Sequence, residues 1–319
     1  MNWKGGRAVA KLATREAYGR ALVELGRQDE RVVVLDADLS KSTKTEYFAH
    51  EFPHRFFNMG IAEQNLMGTA AGLALCGKIP FASSFAIFAT GRAFEQVRNS
   101  IAYPRLNVKI AASHAGITVG EDGASHQSVE DIALMRALPN MTVIVPADGV
   151  ETRQAVFAAA RHEGPVYIRL GRMSVPIIYD EDYRFQVGKA HRLRRGRDAT
   201  ILACGYMVAL ALEAARRLEA EGLSVGVLNV STIKPLDREA VVEAARETGA
   251  LVTAEEHSII GGLGSAVAEV LAEEYPVPLR RVGLRDTFGE SGSPEDLLRR
   301  YGLSVPDIEK NVREVLLQK

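Results

Sequence analysis

Residues 79–112 read IPFASSFAIFATGRAFEQVRNSIAYPRLNVKIAA, and this stretch decides the fold class. Its two ends, Ile79–Ser83 and Val108–Ala112, are short apolar runs that predict buried strands. Between them Phe88–Tyr103 has the spacing of a helix. A strand, a helix and a second strand in this order predict a parallel βαβ unit with a right-handed crossover.

The same alternation extends in both directions from this unit. Further strands of the first half are predicted at Arg31–Asp36, Thr142–Val145 and Val166–Leu170. Its helices are predicted at Thr14–Gln28, with Thr14 as N-cap, and at Ile61–Leu75, Val129–Ala137 and Gly149–Arg161. In the second half, strands are predicted at Ala199–Ala203, Val225–Asn229, Leu251–Glu255 and Arg280–Val282. Helices there are predicted at Val208–Glu221, Arg238–Thr248, Ser265–Glu274 and, after the capping box Ser304-x-x-Asp307, up to Leu317.

The pattern therefore predicts an α/β protein of two doubly wound domains with mainly parallel sheets. Between the halves, Tyr179–Arg197 begins acidic, ends basic and has few branched aliphatic residues, which is typical of a linker or surface hairpin. We place the boundary near residue 188, giving domains at 1–187 and 188–319. The length of 319 residues fits two domains of ordinary size.

Composition excludes several classes of protein. Lys and Arg number 39 and Asp and Glu 40, a formal net charge of −1, so no overall field attracts nucleic acid or an anionic membrane. The longest nearly apolar run, Ile201–Leu212, is too short to span a bilayer. Cys76 and Cys204 lie far apart and form no disulfide framework, and the N-terminus shows no secretion signal. We expect a cytoplasmic protein.

In open parallel sheets ligands bind beyond the carboxyl ends of the strands, and the most polar of the corresponding loops is 114–127, HAGITVGEDGASHQ. It holds two histidines, two acids and three glycines, which allow close approach of backbone to a ligand. A plain surface loop would account for it, and His114, Asp122 and His126 could ligate a metal. Recognition of a polar, oxygen-rich substrate is the interpretation that we favour.

Glu63 opens a helix rich in alanine and glycine. A glutamate in a first turn often does no more than favour the helix dipole. Here, however, its neighbours Ile61, Leu66 and Ala70 leave little polar face. A carboxyl group buried among such side chains can stay protonated at neutral pH and donate a hydrogen bond.

Two further groups of side chains fall in or near these loops. Phe85 and Phe88 have ordinary core spacing, but they could also form a platform for a flat heterocycle. Arg15, Ser42 and Arg172 combine guanidinium groups and a hydroxyl that suit phosphate oxygens, although each alone is typical of a solvated surface.

Together these segments resemble the C-terminal half of transketolase-type thiamine-diphosphate enzymes. The motifs that carry the resemblance are DADL at 36–39, GIAEQN at 60–65, SFAIF at 84–88, HAGITVGEDGASHQSVED at 114–131, VIVPAD at 143–148, LGR at 170–172 and EEHSIIGGLGSAV at 255–267. They occur in the family's order, and GEDG-x-x-HQ is the most specific of them. The resemblance implies a pyrimidine-binding domain followed by the family's C-terminal domain.

The family binds Mg²⁺ and the cofactor's diphosphate through a Gly-Asp-Gly motif in a further, N-terminal domain. This sequence contains no Gly-Asp dipeptide. It therefore resembles the C-terminal subunit of a split transketolase, a transferase of the pentose phosphate pathway. The resemblance implies an N-terminal partner subunit that carries the GDG motif, an α2β2 heterotetramer, and no metal ligand in this chain.

Carried over residue by residue, Glu63 matches the glutamate that binds N1′ of the thiamine pyrimidine and promotes the imino tautomer needed to deprotonate the thiazolium ring. Phe85 and Phe88 match the pyrimidine pocket, and Asp38 matches an acid on the cofactor side. The family often has a third aromatic residue in the pocket, where this sequence has Gly91.

The substrate residues follow in the same way. His114 and His126 match histidines beside the reacting carbonyl and hydroxyl groups, and Asp122 matches the acid that binds a hydroxyl of the donor sugar. The sugar-phosphate contacts match Arg15, Ser42 and Arg172, although Ser40-Lys41 stands where the family usually has Ala-Pro. The implied reaction moves a two-carbon ketol unit from a ketose phosphate to an aldose phosphate.

Other functions remain open at this point. The β subunit of a 2-oxo acid dehydrogenase E1 has a similar length and also lacks the metal motif, and a deoxyxylulose-phosphate-synthase-like enzyme is a further alternative. A non-catalytic nucleotide- or flavin-binding module would need a dinucleotide fingerprint, which the sequence lacks.

Overall fold

The structure, a computed structural model, describes residues 10–319. Its strands are β1 (Lys11–Ala13), β2 (Val32–Asp36), β3 (Phe56–Asn58), β4 (Ile79–Phe85), β5 (Lys109–Ser113), β6 (Thr142–Ile144), β7 (Val166–Arg169), β8 (Ser174–Pro176), β9 (His191–Arg194), β10 (Ala199–Ala203), β11 (Val225–Asn229), β12 (Thr232–Lys234), β13 (Leu251–Ser258) and β14 (Leu279–Leu284). Its α-helices are α1 (Thr14–Gln28), α2 (Ser40–Thr43), α3 (Glu46–Glu51), α4 (Glu63–Leu75), α5 (Phe94–Gln96), α6 (Asp131–Ala137), α7 (Gly149–Arg161), α8 (Met207–Ala220), α9 (Arg238–Thr248), α10 (Leu263–Glu274), α11 (Pro294–Arg300) and α12 (Val305–Leu316).

Two open sheets organise these elements, as the alternating pattern predicts. The larger has the order β12-β6-β7-β5-β4-β2-β3 and is parallel except for β12. The smaller has the order β14-β13-β10-β11-β9 and is parallel except for β9. Helices cover both faces of each sheet, so the central strands β2, β4, β5, β10 and β11 are buried along their whole length. The α/β, doubly wound fold class is confirmed.

Helix α1 shows how its sequence produces the packing. Its apolar residues recur with the helical period, and Tyr18 and Leu22 on that face are fully buried against the larger sheet. The predicted cap is wrong, however. Ala13 occupies the N-cap position, and Thr14 Oγ1 instead accepts a hydrogen bond of 2.7 Å from the Gly171 amide. Thr14 thereby ties the start of α1 to the loop after β7.

The segment predicted as one helix, Phe88–Tyr103, is helical but irregular. Phe88–Arg92 and Val97–Ala102 are π-helical, and only α5 between them is α-helical. π-Helical turns are rare and often occur at functional sites. The wider turns change which side chains share a face, so sequence spacing alone could not place the residues after Phe88.

The segment between the halves is more buried than the predicted surface linker. His191–Arg194 forms strand β9. Tyr179 and Tyr183 are buried, and the Tyr183 hydroxyl donates to Glu151 Oε1 at 2.6 Å. Asn229, from the second half, donates to both oxygens of the same carboxylate at 3.0 Å. Buried polar groups therefore fasten this segment to both halves.

A buried ion pair lies at the centre of the contact between the halves. Arg169 Nε donates to Asp131 Oδ2 at 2.7 Å, and the Tyr167 hydroxyl donates to the same oxygen at 2.6 Å. Arg169 Nη2 also donates to the backbone oxygen of Glu256 in the second half at 2.9 Å. Burial alone would raise the pKa of Asp131, but the Arg169 guanidinium outweighs burial and holds that pKa below its usual range.

Strand β12 and the hydrophobic core also cross between the halves. Although β12 belongs to the second half of the chain, it pairs antiparallel with β6 of the larger sheet. One core cluster contains Val143 and Tyr167 together with Leu228 and Ile233. In residues 10–319 we find no helix with the length and apolarity that crossing a membrane requires.

Substituting Asp131 tests the contact between the halves. We expect Asp131→Asn to lower the free energy of unfolding at pH 7 by about 3–5 kcal/mol, because it leaves Arg169 as an uncompensated buried charge. Urea titration at one fixed protein concentration measures this loss. Because the folded-state pKa of Asp131 is depressed, its contribution is complete above about pH 4 and disappears as the pH falls through the lower folded-state value.

Asp296→Asn is the matched control, since Asp296 pairs with Arg299 on the surface, where both side chains are mostly exposed. Exposed pairs contribute little. A loss in Asp131→Asn no larger than that in the control would show that the buried pair does not hold the halves together.

Candidate active site

The loops that leave the carboxyl ends of the parallel strands lie along one edge of the larger sheet. Asp36, the last residue of β2, is completely buried and fixes the first of these loops. Its carboxylate accepts hydrogen bonds from the Leu39 amide at 2.6 Å, Thr43 Oγ1 at 2.7 Å and Thr45 Oγ1 at 2.9 Å. Burial raises the pKa of Asp36, and these three donors oppose that rise. Sequence analysis gave Asp36 no role.

Asp38 projects from this loop into an exposed position. It accepts a hydrogen bond of 3.0 Å from Asn58 Nδ2, and Asn58 Oδ1 in turn accepts one of 3.0 Å from the Gly60 amide. The chain of contacts joins the ends of β2 and β3 and leads to the start of α4. Asp38 is thus placed beside the segment that presents Glu63.

Glu63 stands at the first position of α4 and is only 2% exposed, so its predicted burial is confirmed. Its surroundings differ from the expectation of a purely apolar environment. Ile61 is 78% exposed, and Glu63 Oε2 accepts a hydrogen bond of 2.9 Å from Arg92 Nη1. In this structure the carboxylate is therefore held in an ion pair.

Arg92 has a second contact, because its guanidinium carbon lies 4.4 Å from the centroid of the Phe88 ring. Sequence analysis missed Arg92 altogether. The available signal was its position four residues after Phe88, which brings two side chains together on a helical face.

The aromatic residues form a stacked array. Phe85 and Phe88 have nearly parallel rings, 11° apart, with centroids separated by 5.9 Å. The His114 ring stacks on Phe85 at 3.8 Å, and the His126 ring meets Phe88 edge-on at 5.3 Å. Phe85 is buried, so both the core and the platform interpretations describe part of its environment.

The hydrogen bonds of His114 define its protonation. Arg15 Nη1 lies 3.4 Å from Nε2, and because a guanidinium only donates, Nε2 accepts. The Nδ1 proton then points to Ser113 Oγ at 2.9 Å. Burial and the charges of Arg15 and Arg172 lower the pKa of His114 to about 3. His114 is therefore a neutral imidazole.

Two residues of this edge adopt left-handed backbone conformations although they are not glycine. Asp38 has φ of 63° and His114 has φ of 56°. Such strain persists where the surrounding structure enforces it, and it is concentrated at functional sites.

The predicted phosphate residues lie close to these histidines. Besides its contact with His114, Arg15 donates to the Ser42 backbone oxygen at 2.8 Å, so the carbonyl rather than the hydroxyl of Ser42 makes this contact. Arg172 lies 3.6 Å from carboxylate oxygens of both Glu121 and Asp122. Burial and the nearby charge of Arg172 lower the pKa of Arg15, which shows that two cations share a small region.

The second half of the chain holds the loop 114–127 in place. The Thr118 amide donates to Glu256 Oε1 at 2.7 Å, and Gln127 Nε2 donates to the Glu290 backbone oxygen at 2.9 Å. Gly116 has φ of 82°, and a Cβ there would lie 2.2 Å from Glu256 Oε1. Glycine is therefore required at the point where this carboxylate crosses the loop. Glu256 belongs to the quoted EEH motif, but sequence analysis assigned it no function.

The structure thus brings together Glu63, Phe85, Phe88, His114 and His126, and places Arg15, Ser42, Asp122 and Arg172 beside them. The arrangement is unfavourable for a metal held by His114, Asp122 and His126. Arg15 faces Nε2 of His114, and Arg172 faces the carboxylate of Asp122, so a second cation would meet repulsion at both. A neutral imidazole, a buried carboxyl group and two arginines suit an anionic, hydroxyl-rich ligand instead.

Comparison with known proteins assigns both halves to domain families. The transketolase pyrimidine-binding domain matches residues 10–177, and the transketolase C-terminal domain matches residues 188–308. The chain is 53% identical over 303 residues to a putative transketolase C-terminal section of Methanocaldococcus jannaschii, covering 94% of this chain and 95% of that protein. Human transketolase is 39% identical over 310 residues, which cover 96% of this chain and 49% of that protein.

Solved structures show the same relationship. A structure described as a split gene transketolase, inactive beta4 tetramer, is 63% identical with a TM-score of 0.91, covering 97% of this chain and 99% of that one. The transketolase of Campylobacter jejuni is 27% identical with a TM-score of 0.81, covering 95% of this chain and 47% of that one.

The neutral state of His114 is directly testable. We expect its ¹⁵N resonances, assigned by comparison with His114→Gln, to keep the pattern of a neutral Nδ1–H imidazole from pH 5 to 8. In Arg15→Met the pKa of His114 should rise but stay below its ordinary value, because burial is the larger cause. Arg20→Met, an exposed arginine on the same helix, is the control and should change nothing. An imidazolium pattern for His114 at pH 6 in the unsubstituted chain would contradict the geometry.

Proposed function

The chain belongs to the transketolase family, and from this premise we propose that it is the catalytic C-terminal subunit of a split transketolase. The proposed reaction transfers a two-carbon ketol unit from a ketose phosphate to an aldose phosphate with thiamine diphosphate as cofactor. The observation that carries the proposal is the position of Glu63, a buried carboxyl group beside Phe88 and within the same edge as His114 and His126.

The residues present fit the pyrimidine end of thiamine diphosphate. Glu63 offers a carboxyl group to a ring nitrogen, the flat face of Phe88 offers stacking, and Asp38 offers an exposed carboxylate nearby. When bound, the cofactor supplies the stabilisation of the two-carbon carbanion that no side chain can provide. Glu63 orients the pyrimidine ring and, once protonated, donates a hydrogen bond to it.

The histidines are proposed to handle protons and hydroxyl groups of the sugar. His114, being neutral, can hydrogen-bond a substrate oxygen without adding charge, and its stacking on Phe85 fixes the plane of its ring. His126, edge-on to Phe88, lies on the other side of this array. Both are positioned to move protons at the reacting carbons while the sugar is held still.

The charged residues are proposed to bind the rest of the substrate. Arg15 and Arg172 are assigned to the phosphate group with Ser42 near them, and Asp122 is assigned to a sugar hydroxyl. Anionic sugars also appear in the names of relatives: a Clostridium protein named as a 6-deoxy-6-sulfo-D-fructose transketolase subunit is 48% identical, and one of Phocaeicola vulgatus named for apulose-4-phosphate transketolase is 41% identical. Those names support an anionic sugar as the substrate class.

The partner is proposed to be an N-terminal transketolase subunit with a Gly-Asp-Gly motif that holds Mg²⁺ and the diphosphate, in a cytoplasmic α2β2 heterotetramer. Relatives matched over 95% of their own length are named a section or a subunit of a transketolase, which supports a divided enzyme. We retain 1–187 and 188–319 as the proposed domains. The same relatives give no support to the 2-oxo acid dehydrogenase alternative.

Glu63→Gln tests the role of the carboxyl group. We expect this variant to fold and to assemble with the partner, but to lose most turnover, at least 100-fold, because an amide cannot supply the acid–base function. Steady-state ketol transfer by the reconstituted enzyme measures it.

Glu213→Gln is the matched control for this substitution. Glu213 is also buried and bonded to arginines, but it lies on α8, away from the aromatic array. Its glutamine variant should keep normal turnover. Near-normal turnover in Glu63→Gln would remove Glu63 from the mechanism.

Reconstitution tests the need for a partner. The chain alone should show no ketol transfer from xylulose 5-phosphate to ribose 5-phosphate, because nothing in its sequence matches the family's metal and diphosphate motif. Mixing with a GDG-bearing subunit and Mg²⁺ should restore the reaction in a coupled spectrophotometric assay. Full activity of the chain by itself, or no activity with any such subunit, would refute the split-enzyme proposal.

A further inference from the structure

Arg92 makes two contacts of different kinds with one side chain. Its Nη1 bonds Glu63 Oε2 at 2.9 Å, and its guanidinium carbon lies 4.4 Å from the Phe88 ring centroid. These are the two interactions that the proposed function assigns to an aminopyrimidine, namely a hydrogen bond with the Glu63 carboxyl group and a stack on the aromatic platform. A guanidinium is planar and carries N–H donors at its rim, so it can reproduce both.

We infer that Arg92 is a placeholder that occupies the pyrimidine position in the cofactor-free chain and must swing out when thiamine diphosphate binds. This inference rests on the proposed function. The side chain is able to move, because it is 49% exposed, whereas Glu63 is 2% exposed and fixed at the start of α4. Its bound position is therefore an alternative to the ligand and not part of a packed core.

The placeholder meets the physical requirement of a buried carboxylate. Without a ligand, an ionised Glu63 would lack compensation in a site removed from water, which is costly. Arg92 supplies the opposite charge and keeps the platform covered. When it leaves, the carboxyl group loses its cation and can take up the proton that the proposed hydrogen bond to the pyrimidine requires.

The backbone around Arg92 suits a movable side chain. Arg92 ends the π-helical turn Phe88–Arg92, next to Gly91, where an added Cβ would meet only Ile87 Cδ1 at 3.6 Å. Gln64 Nε2 contacts the Arg92 backbone oxygen at 3.4 Å, a contact that does not restrain the guanidinium. The side chain therefore leaves the site without a rearrangement of the core.

The test is the affinity of the cofactor-free complex of this chain with its partner for thiamine diphosphate, measured by calorimetry in the presence of Mg²⁺. Arg92→Ala should bind about tenfold more tightly than the unsubstituted complex, because the ligand no longer displaces an ion pair and a cation–π contact. Arg98→Ala is the control, since Arg98 is exposed on the next π-helical turn and bonds Asn99 rather than Glu63. It should leave the affinity unchanged.

A second measurement needs no cofactor. In thermal unfolding of the isolated chain, the shifts in Tm caused by Glu63→Gln and Arg92→Ala should not add in the double variant, because both remove the same pair. Equal or weaker cofactor binding by Arg92→Ala, or additive Tm shifts, would overturn the placeholder while leaving the transketolase proposal standing. Absence of thiamine diphosphate binding to every reconstituted complex would overturn both.

Discussion

A carboxylate withdrawn from water must find a positive charge or several N–H or O–H donors, and this requirement organises the molecule. Asp36 gathers two threonines and an amide and so shapes the loop after β2. Asp131 takes Arg169 and thereby fixes β7 against the second half of the chain. Glu256 takes the amide of Thr118, which holds the loop bearing both site histidines. In each case the partner of a buried charge is also what places a functional segment.

The two halves consequently have different tasks. The first presents the side chains of the site at the carboxyl edge of its sheet, where parallel strands all end together. The second reaches across and supports the polar loop from behind, through Glu256 and through the backbone oxygen of Glu290. Its contribution to chemistry is therefore indirect, because it keeps His114 stacked on Phe85 rather than touching a ligand itself.

The fold follows from the sequence more fully than the site does. Strands and helices with strong periodicity, such as α1, α7, α9 and β10, lie where the pattern predicts, because burial of an apolar face decides them. The π-helical turns after Phe88 were not foreseeable, since they depend on tertiary contacts. The motifs indicated which residues approach one another, but not the ion pair of Glu63 with Arg92 or the contact of Ser42 through its carbonyl. Such partners are separated in sequence and leave no local signal.

Strand β12 has a further effect beyond joining the halves. It covers the outer edge of β6, whose residues 142–144 are buried and rich in β-branched side chains. A fragment limited to the first half would expose that row of unpaired N–H and C=O groups, which is a template for intermolecular pairing and aggregation. The antiparallel ribbon from the second half thus acts as a guard for colloidal solubility during biosynthesis.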